Sequence, residues 1–332
     1  MTETRTEFDP YLHDPLRWGA SMVHHSEALL SCLDASAAKS VAEVGAYAGD
    51  LTRLLVAWAR QTGGTVTAID PAPQPALVAM AGEHEVLELV RETSLEALAR
   101  VELADVIILD GDHNYYTVVE ELRLIAERTG GSKLPLLLFH DVAWPHGRRD
   151  DYFDPGQIPA ELRQPLIPSG SGLFPGDPGA RRGGLPYPRS AASEGGAHNG
   201  VLTAIEDFVA GSDQLELVVI PAFFGFGAVW HRDAPWADGV AEVLKPKDRD
   251  PLLARLEENR VAHIAQEHML RVELWDQQER QTRQEQVLRR MLTSSAFALA
   301  EGLSKLRVRA KIAPGQSVIS RAEIQRALDD QR

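Results

Sequence analysis

AEVGAYAGD, from Ala42 to Asp50, is the stretch that decides the fold. It follows the apolar start Ser40-Val41 and runs into LTRLLVAWA, whose apolar residues recur at helical spacing. It reads as a short strand, a glycine-bearing turn and the first turns of a helix. Glu43, Gly45 and Gly49 fit the pattern E-x-G-x-x-x-G. Such a turn lets a ligand lie against the backbone, because glycine has no Cβ to block approach. The helix N-terminus beyond it favours negative charge. Glu43 is an acceptor that suits a cation or an ammonium group. An acid just before the glycines fits a nucleoside bearing an amino acid better than a pyrophosphate.

Outward from this stretch the chain alternates. TVTAID is a second strand, ended by Pro71 and Pro73, and LELVRET is a third. ADVIILDGD and KLPLLLFHDV are strands four and five, nearly continuous in apolar residues, as strands covered on both faces should be. Helices fall between them, one stopped at Gly63-Gly64 and another at the GG after Thr129. This rhythm predicts a doubly wound, mostly parallel α/β sheet. An irregular arm and a helix from about Ser21 to Ala35 precede it.

The rhythm breaks after Asp141. Residues 144–199 are dense in Pro and Gly and read as a structureless insert, a lid over the site. GVLTAIEDFVAG then resumes as a helix, and LELVVIPAF and GFGAVWH read as an antiparallel hairpin closing the sheet. From about Lys245 the chain turns helical and charged. Val261, Ile264, His268, Val272 and Trp275 share a stripe, whereas Asp276 to Gln286 has no apolar residue. Two further helices follow, the last with Ser320 as N-cap. The expected division is an arm over 1–37, a ligand-binding domain over 38–240 holding the insert, and a helical appendage or dimerisation arm over 241–332.

The totals narrow the function. The formal net charge of -14 argues against non-specific nucleic-acid binding and fits a cationic or polar small substrate. One cysteine, Cys32, forbids an internal disulfide and fits a reducing, cytoplasmic setting. The N-terminal residues have no apolar core of a signal peptide, and no apolar run approaches membrane-spanning length.

In open α/β sheets ligands bind at the carboxyl ends of the strands. Four strand ends here carry chemistry. The first is the glycine turn. Asp70 ends strand two, near the spacing of an acid that binds a ribose hydroxyl pair; the alternative is a turn cap before Pro71. Strand four ends in Asp110, Asp112 and His113, and strand five in His140 and Asp141, with Trp144 beyond. Carboxylates this close need a cation, a proton or a donor between them. Asp110, His140 and Asp141 could hold a divalent metal, and His113 could take a proton from a substrate. The alternatives are that Asp112 caps the helix starting near Tyr115, that His113 is a structural donor, and that His140-Asp141 is a hydrogen-bonded pair without metal.

With these residues in place, the chain resembles the class I S-adenosylmethionine-dependent methyltransferases. LDGDHNYYTVVEEL is similar to the small-molecule branch that includes macrolide-sugar O-methyltransferases and the cephalosporin-methoxylating enzyme. The resemblance covers roughly residues 38 to 232 without the insert. It implies a Rossmann-like seven-stranded sheet and S-adenosyl-L-methionine as cofactor. It implies Gly45, Ala46, Tyr47 and Gly49 beneath the methionine part, Glu43 near its ammonium, Asp70 on the ribose, and Thr93 and Ser94 near the adenine, with Asp110 beside the cofactor. It implies Asp110, Asp112, His113 and His140 as the catalytic set, with His113 the general base. Asp110, His140 and Asp141 would be the metal site, for magnesium, manganese or a softer ion. His140 departs from the family, which places a carboxylate there for magnesium. Either the metal is softer, or the metal is lost and the histidines move protons.

The expected reaction is in-line transfer of a methyl group to an oxygen or nitrogen of a polar small molecule, such as a sugar or aminosugar in antibiotic biosynthesis. Trp144, Tyr152, Phe153, Phe174 and Tyr187 of the lid would close over the acceptor. No nucleic acid or membrane is expected as partner, and a homodimer or higher homo-oligomer is. Two other readings are a nicotinamide dehydrogenase, for which G-A-Y-A-G lacks the close glycine pair of G-x-G-x-x-G, and a non-catalytic methyltransferase-like interaction protein.

Overall fold

The computed structural model describes residues 20–130, 134–310 and 320–329; the irregular arm expected before Ser21 lies outside them. The chain alternates helix and strand through α1 (Ser26–Ala35), β1 (Ser40–Val44), α2 (Asp50–Thr62), β2 (Thr65–Ile69), α3 (Pro75–Glu83), β3 (Leu87–Val90), α4 (Ser94–Leu98), β4 (Val106–Leu109), α5 (Tyr115–Thr129) and β5 (Leu136–His140). The insert carries two short strands, β6 (Ser171–Gly172) and β7 (Arg181–Arg182). The domain resumes with α6 (Val201–Ala210), β8 (Leu215–Ile220), β9 (Phe226–His231) and α7 (Ala237–Leu244).

The main sheet has seven strands in the order β3-β2-β1-β4-β5-β9-β8. The first five are parallel, and β9 runs antiparallel to both β5 and β8. This is the Rossmann-like methyltransferase fold, a mixed doubly wound sheet with flanking helices. Side chains alternate across each strand, so the sheet carries one core on each face. Val41, Ile108 and Leu138 pack with Leu29, Leu33 and Leu55 on one side. Ile107, Leu109, Leu137 and Phe139 pack with Leu98, Leu122 and Ile205 on the other. All residues of β4 and β5 are buried, which explains their unbroken apolar runs. The register aligns Val44 with Ile69 and Leu109, and Leu109 with Phe139. Gly45, Asp70, Asp110 and His140 therefore emerge at one edge of the sheet.

The insert is not the structureless lid that its composition suggests. Arg149 is fully buried and donates to the carbonyls of Ala191, Pro178 and Gly179 at 2.6, 2.8 and 3.2 Å. Asp150, also buried, accepts from the backbone amides of Tyr115 and Gly200 at 2.8 and 2.7 Å and from the Tyr152 hydroxyl at 2.8 Å. Its own amide donates to Asn199 Oδ1 at 2.8 Å. One carboxylate thus ties the first turn of α5, the start of α6 and the insert. Asp150→Ala would leave those buried donors without partners, and we expect it to lower the free energy of unfolding by about 3 kcal/mol. Urea titration followed by tryptophan fluorescence measures this; an unchanged midpoint would remove the pinning role.

The chain forms two compact units, Met1–Gln266 and Glu267–Arg332. The first runs past the expected end at 240. Inside it a Cβ placed on Gly239 of α7 would stand 3.4 Å from the Ala35 side chain of α1, so the two helices pack closely there. The first unit also takes in the start of α8 (Pro251–Thr293), whose Val261 and Ile264 are buried. In the second unit, α9 (Ser295–Arg309) and α10 (Arg321–Asp329) follow. Ser320 caps α10: its hydroxyl accepts from Glu323 N at 3.2 Å, and its amide donates to Glu323 Oε2 at 2.7 Å. Most of Asp276 to Gln286 is exposed. No helix among the described residues is long and apolar enough to cross a membrane.

Candidate functional site

The glycine turn is built against strand four. Gly45 and Gly49 have φ of +86° and +85°. A Cβ on Gly45 would stand 1.9 Å from the Asp110 carbonyl oxygen, so this glycine admits the neighbouring backbone rather than a ligand. Asp70 secures the turn, its Oδ2 accepting from Tyr47 N at 2.7 Å and its Oδ1 from Ala72 N at 2.8 Å. Ala46 is buried; its carbonyl accepts from Gly49 N at 2.7 Å, and the Tyr47 side chain is exposed. Asp70 thus acts as the turn cap that the sequence allowed, at the end of β2. Thr93 is the N-cap of α4 in a capping box with Glu96, and Ser94 is buried against Glu121.

Glu43 is buried and accepts from Thr52 Oγ1 at 2.6 Å. Burial pushes its carboxyl up to about 8, against the hydrogen bond from Thr52 and with the charges of Asp110 and Asp70. Near neutral pH it is mostly protonated, and only a bound cation would favour the carboxylate.

The second half of the site joins β4 and β5. His113 Nε2 lies 3.4 Å from Asp110 Oδ1 and 3.1 Å from Asp141 Oδ2. His140 Nδ1 lies 3.3 and 3.4 Å from the same two oxygens. The other nitrogen of His140, Nε2, is 3.0 Å from the Phe223 carbonyl, which only accepts, so Nε2 carries a proton. That leaves Nδ1 facing the carboxylates, buried and without a hydrogen bond of good geometry. The Phe223 carbonyl is itself held in place. Phe223 and Phe224 have φ of +48° and +65°, and their amides donate to Glu257 at 3.0 and 2.8 Å. Glu257 pairs with Arg260, which lies over the Phe224 ring at 4.4 Å.

Burial opposes charge on Asp110 and Asp141, yet His140 and His113 hold both carboxyls below the usual range. The same carboxylates overcome burial and raise His113 to about 9, and they raise His140 well above its usual value. His113 is therefore a cation near neutral pH. The expected general base is, in this arrangement, the counter-charge to two acids.

Several expected site residues serve the framework instead. Asp112 accepts from Thr117 Oγ1 at 3.0 Å and from Phe153 N at 2.8 Å, so both of its oxygens are engaged and it docks the insert onto α5; a catalytic role is corrected to this one. Asn114 is the N-cap of α5. Tyr152 was expected to face the acceptor but is buried within the insert, its hydroxyl donating to Asp150 and accepting from Gln164 N. Phe153 is largely exposed, and Phe174 is buried beneath Arg181. Trp144 is half-buried with Nε1 enclosed and unbonded. Of the expected aromatic residues, Tyr187 reaches the cluster, edge-on to His146 at 5.2 Å.

His146 was not singled out from the sequence. It stacks on His113 with ring centroids 5.0 Å apart, and its Nδ1 is buried and unbonded. Its position five residues beyond Asp141, in the run HDVAWPH, was the available signal.

A family model described as a methyltransferase domain matches residues 42–142. No curated protein matches the sequence. Among solved structures, the chain is similar to the SAH-bound methyltransferase PaMTH1 of Podospora anserina at 16% identity, covering 68% of this chain and 89% of that one, with a TM-score of 0.39. It is similar to a putative caffeoyl-CoA O-methyltransferase from Staphylococcus aureus at 12% identity, covering 68% and 94%, with a TM-score of 0.39. The human N-acetylserotonin methyltransferase in complex with SAM is 15% identical, over 66% of this chain and 54% of that one, with a TM-score of 0.36. From the glycine turn to the acid after strand five, residues 42–142 match the family model of a methyltransferase domain.

Proposed function

We propose that the protein is an S-adenosyl-L-methionine-dependent methyltransferase acting on an oxygen or nitrogen of a polar small molecule, with a sugar or aminosugar of a secondary metabolite as the acceptor class. One observation carries the reading: the glycine turn with Glu43 and the cluster of Asp110, His113, His140 and Asp141 emerge at a single sheet edge, within the stretch that matches a methyltransferase domain. The resemblance to sugar methyltransferases and the net charge of -14 support the acceptor class.

Glu43, below the turn, is the acid that meets the ammonium of the cofactor, and Asp70 stands where its ribose hydroxyls would bind. The sulfonium is already activated, so the protein has mainly to bring the acceptor onto the line behind the methyl group. Asp110 and Asp141, kept ionised by the histidines, accept hydrogen bonds from that acceptor and orient it. Asp110, His140 and Asp141 fit a divalent cation, because the buried Nδ1 of His140 faces both carboxylates without a hydrogen bond. When bound, such a cation would lower the pKa of an acceptor hydroxyl. Tyr187 and Trp144, at the inner side of the insert, would border the acceptor.

Titration calorimetry with S-adenosylhomocysteine tests the reading, with binding expected. Because the Glu43 carboxyl sits near 8 when free, pairing it with the ammonium ionises it and releases a proton. Affinity should rise between pH 6 and 8, and buffers of different ionisation heat should report proton release. Glu43→Gln should abolish the release and weaken binding about tenfold or more. Absence of any binding heat across this pH range would overturn the proposal.

A further inference from the structure

We infer that α8 pairs with the same helix of a second copy of this chain, as a parallel two-stranded coiled coil over residues 270–291. These residues all lie in the second compact unit. The inference goes beyond the methyltransferase reading and does not depend on it.

The first observation is how little holds this stretch. Every residue from Gln277 to Gln284 is exposed, and none is apolar. A helix that is polar all round gains little from packing, so side-chain pairs or a partner must hold it. Arg283 pairs with Glu279 at 3.3 Å and Arg289 with Glu285 at 3.9 Å. Exposed pairs of this kind contribute little.

The second is a seam free of charge. From Leu270, alternate steps of four and three lead to Leu274, Gln277, Gln281, Gln284, Leu288 and Met291. This is the core spacing of a left-handed coiled coil. Every charged residue between Leu270 and Met291 falls off the seam, and each other heptad register would put a charge in the core. Both ends of the seam are apolar. Leu270 and Leu274 are more than half exposed, and a second helix would cover them. The glutamines between the ends are polar core residues, which fix register at a cost in stability.

The third is charge complementarity between copies. In a parallel pair, the residue beside the seam on one helix faces its counterpart in the next heptad of the other. Arg280 of each copy then meets Glu285 of the other, and Val287 meets Leu292 in the same way. Arg280 is exposed and has no carboxylate partner among the described residues. The interface is the same patch on both copies, so a two-fold axis closes it.

Sedimentation of the full chain at micromolar concentration tests this, with a species of twice the chain mass expected. Leu274→Lys should weaken the dimer about a hundredfold or more, and Gln281→Leu should tighten it about tenfold. Gln286→Ala, on the side of α8 away from the seam, should leave the affinity unchanged. Arg280→Glu should weaken pairing about tenfold, and adding Glu285→Arg to it should restore the loss. The tightening variant and the double exchange keep the test decisive even where Leu274→Lys disturbs the helix, which circular dichroism reports. A monomeric chain, a dimer whose affinity ignores either seam variant, or charge exchanges that show no loss or no recovery would overturn the inference.

Discussion

Gly45→Ala is expected to cost the protein on the order of 4 kcal/mol or more and to abolish cofactor binding. The new methyl group would lie 1.9 Å from the Asp110 carbonyl oxygen, 2.5 Å from its carbon and 2.7 Å from Gly111 Cα. These are backbone atoms of the adjacent strand end, and they cannot rotate aside as a side chain can. Relief requires β1 and β4 to part where Asp110 N donates to Val44 O at 3.0 Å. The left-handed φ of +86° adds its own penalty. Gly63 gives the contrast. It is also left-handed, at +74°, but nothing lies within 4 Å of its Cβ position, so Gly63→Ala should cost only about 1 kcal/mol. Urea unfolding of the two variants, with calorimetry of S-adenosylhomocysteine, checks the difference. Equal stabilities would show that the strand ends do not meet as described.

Asp141→Asn is expected to leave the fold intact and to lower methyl transfer on the order of a hundredfold or more. Asp141 has φ of +56°, a backbone that asparagine tolerates well, so the exchange removes charge without strain. The lost charge faces both imidazoles, at 3.1 Å from His113 and 3.4 Å from His140, as that of Asp110 does at 3.4 and 3.3 Å. His113 owes its rise to about 9 first to Asp141, acting against burial. In metal-free protein its titration should therefore move to lower pH in the variant, which imidazole NMR resonances report directly. A His113 titration unchanged from the parent, together with undiminished turnover, would show that Asp141 stands outside the reacting centre.

The sheet was legible because β4 and β5 are unbroken apolar runs and short strands alternate with helical stretches along the chain. Parallel strands also bring their carboxyl ends to one edge, so Asp70, Asp110 and His140 could be assembled from strand ends alone. Three things were not legible. Asp112 sits between two candidate residues, and only the positions of Thr117 and Phe153 show that both its oxygens are engaged. The clasp of Arg149, Asp150 and Asn199 joins polar residues up to 50 positions apart, in a segment whose composition signals a loop. Glu257 stands 34 residues from the Phe223 amide it receives, on a helix with no local pattern pointing to the site. Contacts of this kind depend on tertiary geometry, which hydrophobic periodicity does not encode.

The fastening of the insert bears on how acceptor range can change in such a scaffold. Asp150 is bonded to the first turn of α5 and to Gly200 at the threshold of α6, both of which belong to the sheet domain. A donor loop transplanted from another protein without its own equivalents of Asp150 and Asn199 would unravel the ends of two helices. Exchange of specificity by segment grafting must therefore move the rivets along with the panel, or confine itself to single side chains such as Tyr187 that face inward from it.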